Sequence, residues 1–141
     1  MRSREMAENY LKDARIILEE TETMFDKRVF HRVIRLCQEA VELALKACLR
    51  IVGIEYPRSH DVSDVLTENR DRFPAWFRGE IRDLAEASSW LAEKRGPAMY
   101  GDEVGGIPAS RLFTREDAEQ ALNYARKVVG LAFRLFKEFY E

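Results

Sequence analysis

Residues 28–52 read RVFHRVIRLCQEAVELALKACLRIV, and the order of apolar and polar side chains in this stretch decides the fold. Phe30, Val33, Ile34, Cys37, Val41, Ala44, Leu45, Cys48 and Ile51 recur at three- and four-residue intervals, the period of one helix face. Ala40, Leu43, Ala47 and Leu49 widen that stripe. A stripe this wide predicts a central helix over about 28–52 that touches several neighbours. Gly53 supplies a C-terminal stop, and Pro57 follows just beyond it.

Working outward, Met6, Tyr10, Ala14, Ile17, Leu18 and Thr21 predict an amphipathic helix over 3–25, with a short turn at 24–28. Beyond the central helix, Ser59 or Asp61 is placed to cap a short helix over about 61–71, with Val62, Val65 and Leu66 facing inward. Phe73-Pro74 breaks it. Trp76, Phe77, Ile81, Leu84, Ala85, Ala87, Trp90 and Leu91 then predict a helix over about 75–94, ended by Gly96-Pro97. Residues 96–113 show no period and hold Gly101, Gly105, Gly106 and Pro108. A connection of that length inside a compact domain is often functional. Thr114 opens the last helix as N-cap, with Glu116 and Asp117 in its first turn. Its inward face runs from Ala118 through Ala121, Leu122, Ala125, Val128, Val129, Ala132, Phe133 and Phe136 to Phe139.

No strand-like alternation and no internal repeat interrupts this pattern. The expected fold is all-α, an up-and-down helical bundle of four long helices plus one short helix, with residues 1–141 as one domain. Any site is expected to gather at the two longer connections, 53–61 and 96–113.

Composition narrows the function. The chain has 141 residues, 46% hydrophobic and 34% charged, which excludes intrinsic disorder. No apolar run approaches the ~20 residues that a membrane-crossing helix needs. The charged start Met1-Arg2-Ser3-Arg4-Glu5 carries no apolar signal core, so a cytoplasmic location is expected, with no membrane partner. A formal net charge of −2 argues against a surface built for long duplex nucleic acid but leaves room for a local basic cleft. The basic residues are 17 Arg against 6 Lys. Arg is the better fork for phosphate or carboxylate, although most arginines on helices simply face solvent. Cys37 and Cys48 fall on one helix, ~16 Å apart along its axis at ~1.5 Å per residue, too far for an intramolecular disulfide.

No Walker loop, dinucleotide fingerprint, nucleophile elbow or zinc-type cluster is present. Neither His31 nor His60 follows a Glu at the spacing used by di-iron bundles, so no metal and no cofactor is expected. Four features remain. Glu42 and Lys46 stand four apart on the central helix, either as an intrahelical pair at the core edge or as a polar patch facing a cleft or partner. His60, in Ser59-His60-Asp61-Val62, reads as a loop hydrogen-bonder or a proton-transfer group, since an imidazole titrates near neutrality. Arg95 suits the negative end of a helix dipole. With Tyr100 it also offers a phosphate-binding fork and a stacking ring. The stripe Phe133, Phe136, Phe139 reads as core or dimer seam.

Three segments together resemble the HEPN domain (higher eukaryotes and prokaryotes nucleotide-binding), in its small free-standing prokaryotic form. They are Gln38-Glu39-Ala40-Val41-Glu42-Leu43-Ala44-Leu45-Lys46-Ala47, the turn Tyr56-Pro57-Arg58-Ser59-His60-Asp61-Val62, and the stretch from Arg95 through Tyr100 to Phe113-Thr114-Arg115-Glu116-Asp117-Ala118. The resemblance implies a helical bundle that forms a homodimer. It also implies, for many members, pairing with a minimal nucleotidyltransferase in a toxin–antitoxin-like or regulatory system. Active members are metal-independent ribonucleases carrying Arg, four to six residues, then His. Here Arg95 matches the Arg, and Tyr100 stands where the His is expected. A phenol with an intrinsic pKa of ~10 is a poor base at neutral pH. The implied role is therefore a non-catalytic module binding nucleotide or RNA phosphate through Arg95, Tyr100 and His60, or docking a nucleotidyltransferase. One alternative is a weak endoribonuclease using Arg95 with a non-standard partner such as His60. Another is a purely structural oligomerisation protein.

Overall fold

The computed structural model describes residues 2–141, with side chains from Ser3 onward. Six α-helices follow one another: α1 (Arg2–Asp26), α2 (Phe30–Ile51), α3 (Ser63–Glu68), α4 (Ala75–Arg78), α5 (Ile81–Tyr100) and α6 (Arg115–Tyr140). Single 3-10 turns occur at Arg70–Arg72 and Ala109–Arg111. Among the described residues there is no strand, only one isolated bridge between Asp102 and Ile107.

The central helix is α2, which packs against α1, α5 and α6. Val33, Ile34, Cys37, Ala40, Val41, Ala44, Leu45, Ala47, Cys48 and Leu49 on it are buried. Alanines at 40, 44 and 47 keep its surface shallow, so neighbouring helices approach closely. Both cysteines are free and buried, and burial pushes the Cys37 thiol up to about 12. The buried face of α1 is Ala7, Leu11, Ala14, Ile17 and Thr21. It is rotated slightly from the predicted stripe, and Met6 is exposed.

Helix ends follow from backbone chemistry. The helix α2 closes at Gly53, whose φ is +76°. Gly53 N–H donates to Arg50 O and Ile54 N–H to Leu49 O, the paired bonds of a Schellman end. The same pair closes α1, with Arg28 N–H to Phe25 O and Val29 N–H to Met24 O. There the left-handed position is held by Arg28 (φ 60°), a residue with a Cβ. Thr114 caps α6 through a reciprocal pair with Asp117, as its sequence indicates.

Two boundaries differ from the sequence expectation. The helix predicted over 75–94 is broken at Gly79 and Glu80, so α4 and α5 replace it and six helices replace the expected five. Gly79 has no side chain to pack, and the Gly79 and Glu80 amides close a single turn onto Ala75 O and Phe77 O. The second difference is that α5 runs straight through Gly96 and Pro97 to Tyr100. Proline lacks a donor and its ring crowds the preceding turn. Burial of Ala98 and a bond from Gly101 N–H to Pro97 O hold the last turn nonetheless. The true stop is Gly101, with φ +77°.

Removing side-chain volume from the centre of this arrangement has a defined cost. Leu45→Ala, in the fully buried stretch of α2, is expected to lower unfolding free energy by about 2–5 kcal/mol, measured by urea denaturation followed by circular dichroism.

Candidate functional site

The residues singled out by sequence form two groups along the α2–α5 face. The first centres on Glu42. Gln38, Glu42 and Lys46 stand at successive four-residue steps, so their side chains line up on α2. Gln38 Nε2 donates to Glu42 Oε1 at 2.8 Å and Lys46 Nζ to Oε2 at 2.9 Å. The His60 Nδ1 lies 2.7 Å from Oε1. Because a carboxylate only accepts, this contact assigns the proton to Nδ1 and leaves Nε2 on the far side of a half-exposed ring. Burial pushes the Glu42 carboxyl up. The bonds from Lys46, Gln38 and His60 outweigh it and hold the group below its usual range.

His60 is placed by a loop fastened to α5. Buried Ser88 accepts from Val62 N–H at 2.9 Å and donates to Asp61 Oδ1 at 3.1 Å. Asp61 Oδ1 also accepts from Ser63 N–H at 2.9 Å, closing the turn into α3. Further along α2, Lys46 Nζ sits 5.3 Å over the Tyr56 ring, and Arg50 lies between Tyr10 and Tyr56 at 5.5 and 5.6 Å. Arg50 Nε donates to Tyr56 Oη at 2.9 Å. An open cavity of about 500 Å³ adjoins this end, lined by Ser3, Arg50, Gly53, Ile54, Glu55 and Tyr56.

The second group is at the other end of the same face. Arg95 lies inside α5 rather than at its end, and Tyr100 is the helix's last residue, 67% exposed. Arg35 of α2 joins them. Its guanidinium is held below its usual value, first by burial and then by the charge of Arg95. Among the described residues, the buried side-chain nitrogens and oxygens without a hydrogen-bond partner are Nε of Arg35 and Nε of Arg95. Arg35 and Glu42 are seven residues apart, two turns on one side of α2, or about 10 Å at ~1.5 Å per residue. The structure thus gathers Glu42, Lys46 and His60 in one place and Arg95 with Tyr100 in another. Among the described residues there is also no group of three or more side chains suited to hold a metal ion.

A model of the HEPN domain matches residues 2–135. The chain belongs to the HEPN domain family. Two solved structures resemble it. One, TT1696 from Thermus thermophilus, is 28% identical with a TM-score of 0.73, covering 91% of this chain and 96% of that one. The other, ST0689, an archaeal HEPN homologue, is 25% identical with a TM-score of 0.69, covering 92% of this chain and 97% of that one. No curated protein matches the chain.

In this HEPN domain the segment after Arg95 differs from the open loop that the sequence suggests. The connection begins at Gly101 and is tied at its base. Asp102 N–H donates to Ile107 O at 2.8 Å and Ile107 N–H to Asp102 O at 3.0 Å. Asp102 Oδ1 also accepts from Gly105 N–H at 2.9 Å. A Cβ at Gly101 would lie 2.3 Å from Ile107 O, so only glycine lets the chain fold back here. Met99, Tyr100, Val104 and Ile107 are exposed around this short hairpin. The residue that sequence reasoning missed is Arg35. Its signal was its position seven residues before Glu42, on the polar line of a helix read chiefly for its apolar side.

Two outcomes follow. Gly101→Ala is expected to destabilise the domain by more than about 1 kcal/mol in thermal denaturation, through both the left-handed φ and the backbone clash. Glu42, depressed in the folded state, contributes stability that is present above its unfolded value of ~4.3 and is lost as pH falls through the lower folded value. Wild type should therefore lose more unfolding free energy than Glu42→Gln between about pH 5 and about pH 3, in denaturation at each pH.

Proposed function

We propose that this HEPN domain is a binding module that holds a nucleotide or an RNA phosphate at the Arg95 end of α5 and does not cleave it. The observation that carries this reading is the placing of Arg95 in the closing turns of α5, with the exposed ring of Tyr100 at the end of the same helix. A guanidinium is a fixed fork for phosphate oxygens. Tyr100, exposed on the same helix, supplies a ring on which a base stacks. Cleavage needs a group that removes a proton from the ribose hydroxyl. The phenol at position 100 does not serve, and the imidazole of His60 is engaged with Glu42.

The domain works as a homodimer in this reading. Met99, Val104 and Ile107 beside the site offer apolar surface to a second copy, or to a minimal nucleotidyltransferase in a toxin–antitoxin-like pair. A second reading, a weak metal-independent endoribonuclease, draws on the Glu42–His60 contact, because a carboxylate on one ring nitrogen is how an imidazole base is oriented. It requires His60 of one copy to reach Arg95 of another.

Titration of fluorescent nucleotides and short RNAs is expected to show Arg95→Ala weakening binding by about tenfold or more, the loss of one charge-assisted bond. Equal affinity of wild type and variant would overturn the reading. Arg95-dependent degradation of RNA would establish the ribonuclease in its place.

A further inference from the structure

The open cavity of about 500 Å³ beside the end of α2 has no part in the binding role just proposed, since neither Arg95 nor Tyr100 lines it. Its size lies within the ~300–1,000 Å³ of small-molecule sites. Two of its lining residues are charged, Arg50 and Glu55. Arg50 is held firmly. Its Nε donates to Tyr56 Oη at 2.9 Å, and its guanidinium carbon lies 5.5 Å from the Tyr10 ring centre and 5.6 Å from that of Tyr56. Contacts from α1 and from the loop after α2 thus fix the fork in place. Lys46, the other cation over the Tyr56 ring, is already paired with Glu42. Among the described residues, neither Arg50 nor Glu55 forms an ion pair. They line one cavity as separate, opposite charges. The cavity of about 270 Å³ bordered by Glu22, Glu119 and Arg126 is different, for Arg126 lies 3.5 Å from Glu22, and Glu119 accepts from Arg115. A helix C-terminus ordinarily disfavours an anion. At the end of α2, however, Leu49 O accepts from Ile54 N–H, Arg50 O from Gly53 N–H, and Val52 O from Arg72.

We propose that this cavity binds a free α-amino acid, with its carboxylate on the Arg50 fork and its ammonium on Glu55. The end of a guanidinium presents two parallel N–H donors, which match the two oxygens of one carboxylate. Nε of Arg50 is engaged with Tyr56, so that end is the edge left for a ligand. Glu55, exposed on the segment after Gly53, supplies the acceptor for the ammonium. The charges of the lining sum to zero, so a ligand carrying both signs is matched at both ends. A phosphate dianion would set two negative charges against one cation and one carboxylate. Ile54 and the Tyr56 ring give apolar contact to the side chain of the amino acid. Arg50 and Glu55 are thus the binding residues of a second site.

The test begins with a thermal melt of the full chain, with each of the twenty protein amino acids added at about 10 mM and one ionic strength. At least one is expected to raise the melting temperature by about 2 °C or more. Calorimetry then compares that amino acid with its N-acetyl and amide derivatives, which lack the ammonium and the anionic carboxylate respectively. Each derivative is expected to bind about tenfold more weakly or worse, the loss of one charge-assisted contact. Glu55→Gln and Arg50→Lys should each weaken the parent amino acid by about the same factor. In Glu55→Gln the N-acetyl derivative should bind within about twofold of its wild-type affinity, because it already lacks the contact that the variant removes. Melts without ligand show that each variant folds, and Glu55, being exposed, is replaced without disturbing the core. No stabilisation by any of the twenty would overturn the proposal, and so would unchanged affinity in Glu55→Gln. Equal binding of the parent and its N-acetyl derivative would overturn the role of Glu55. Stabilisation by inorganic phosphate, with none by the amino acids, would overturn the proposal in favour of a simple anion site.

Discussion

Helix α2 is surrounded by α1, α5 and α6, and a helix in that position must answer every polar group it carries. Glu42 shows how this is done. Its carboxylate, half-buried, draws donors from one turn before, one turn after and from a loop 18 residues downstream. The loop is fixed from the other side by Ser88 of α5. One charge therefore ties together α2, the entry to α3, and α5. Taking away that charge would leave Lys46 and His60 without their common partner.

On the surface, some cations are covered by carboxylates, carbonyls or aromatic faces, as with Lys127 bridging Glu80 and Asp83, or Arg15 on Phe133. Family membership supports a helical scaffold of this type, but it leaves the ligand to be decided by the particular side chains.

Much of this was legible from residue spacing. The apolar stripe of residues 28–52 placed α2 at the centre, Gly53 ended it, and Thr114 with Asp117 opened α6. Where spacing failed, tertiary contacts had overridden a local signal. Gly96-Pro97 has the composition of a helix end, yet the burial of Ala98 carries α5 one turn further, and only the close approach of Ile107 O to Gly101 shows which glycine is required. Gly79, by spacing no more than one weak position in a long helix, breaks it. Among the candidate residues, Glu42 with Lys46 was visible as a four-residue pair, and Arg95 with Tyr100 as a cation and a ring on either side of Gly96-Pro97. Their partners were not. His60 reaches Glu42 across 18 residues, and no local period records such a meeting.

The burial of α2 has one more consequence, for its two sulfur atoms. Thiolates, not thiols, react with oxidants and alkylating agents. Cys37 and Cys48 are shut inside the core, and burial pushes both thiols up, Cys37 to about 12. In the native state neither is chemically available, so the domain offers no reactive thiol to oxidants or alkylating agents. A reagent gains access only in the interval when α2 parts from its neighbours. The rate at which these sulfurs are captured is then a clock for opening of the innermost layer, carried by the chain without any added label.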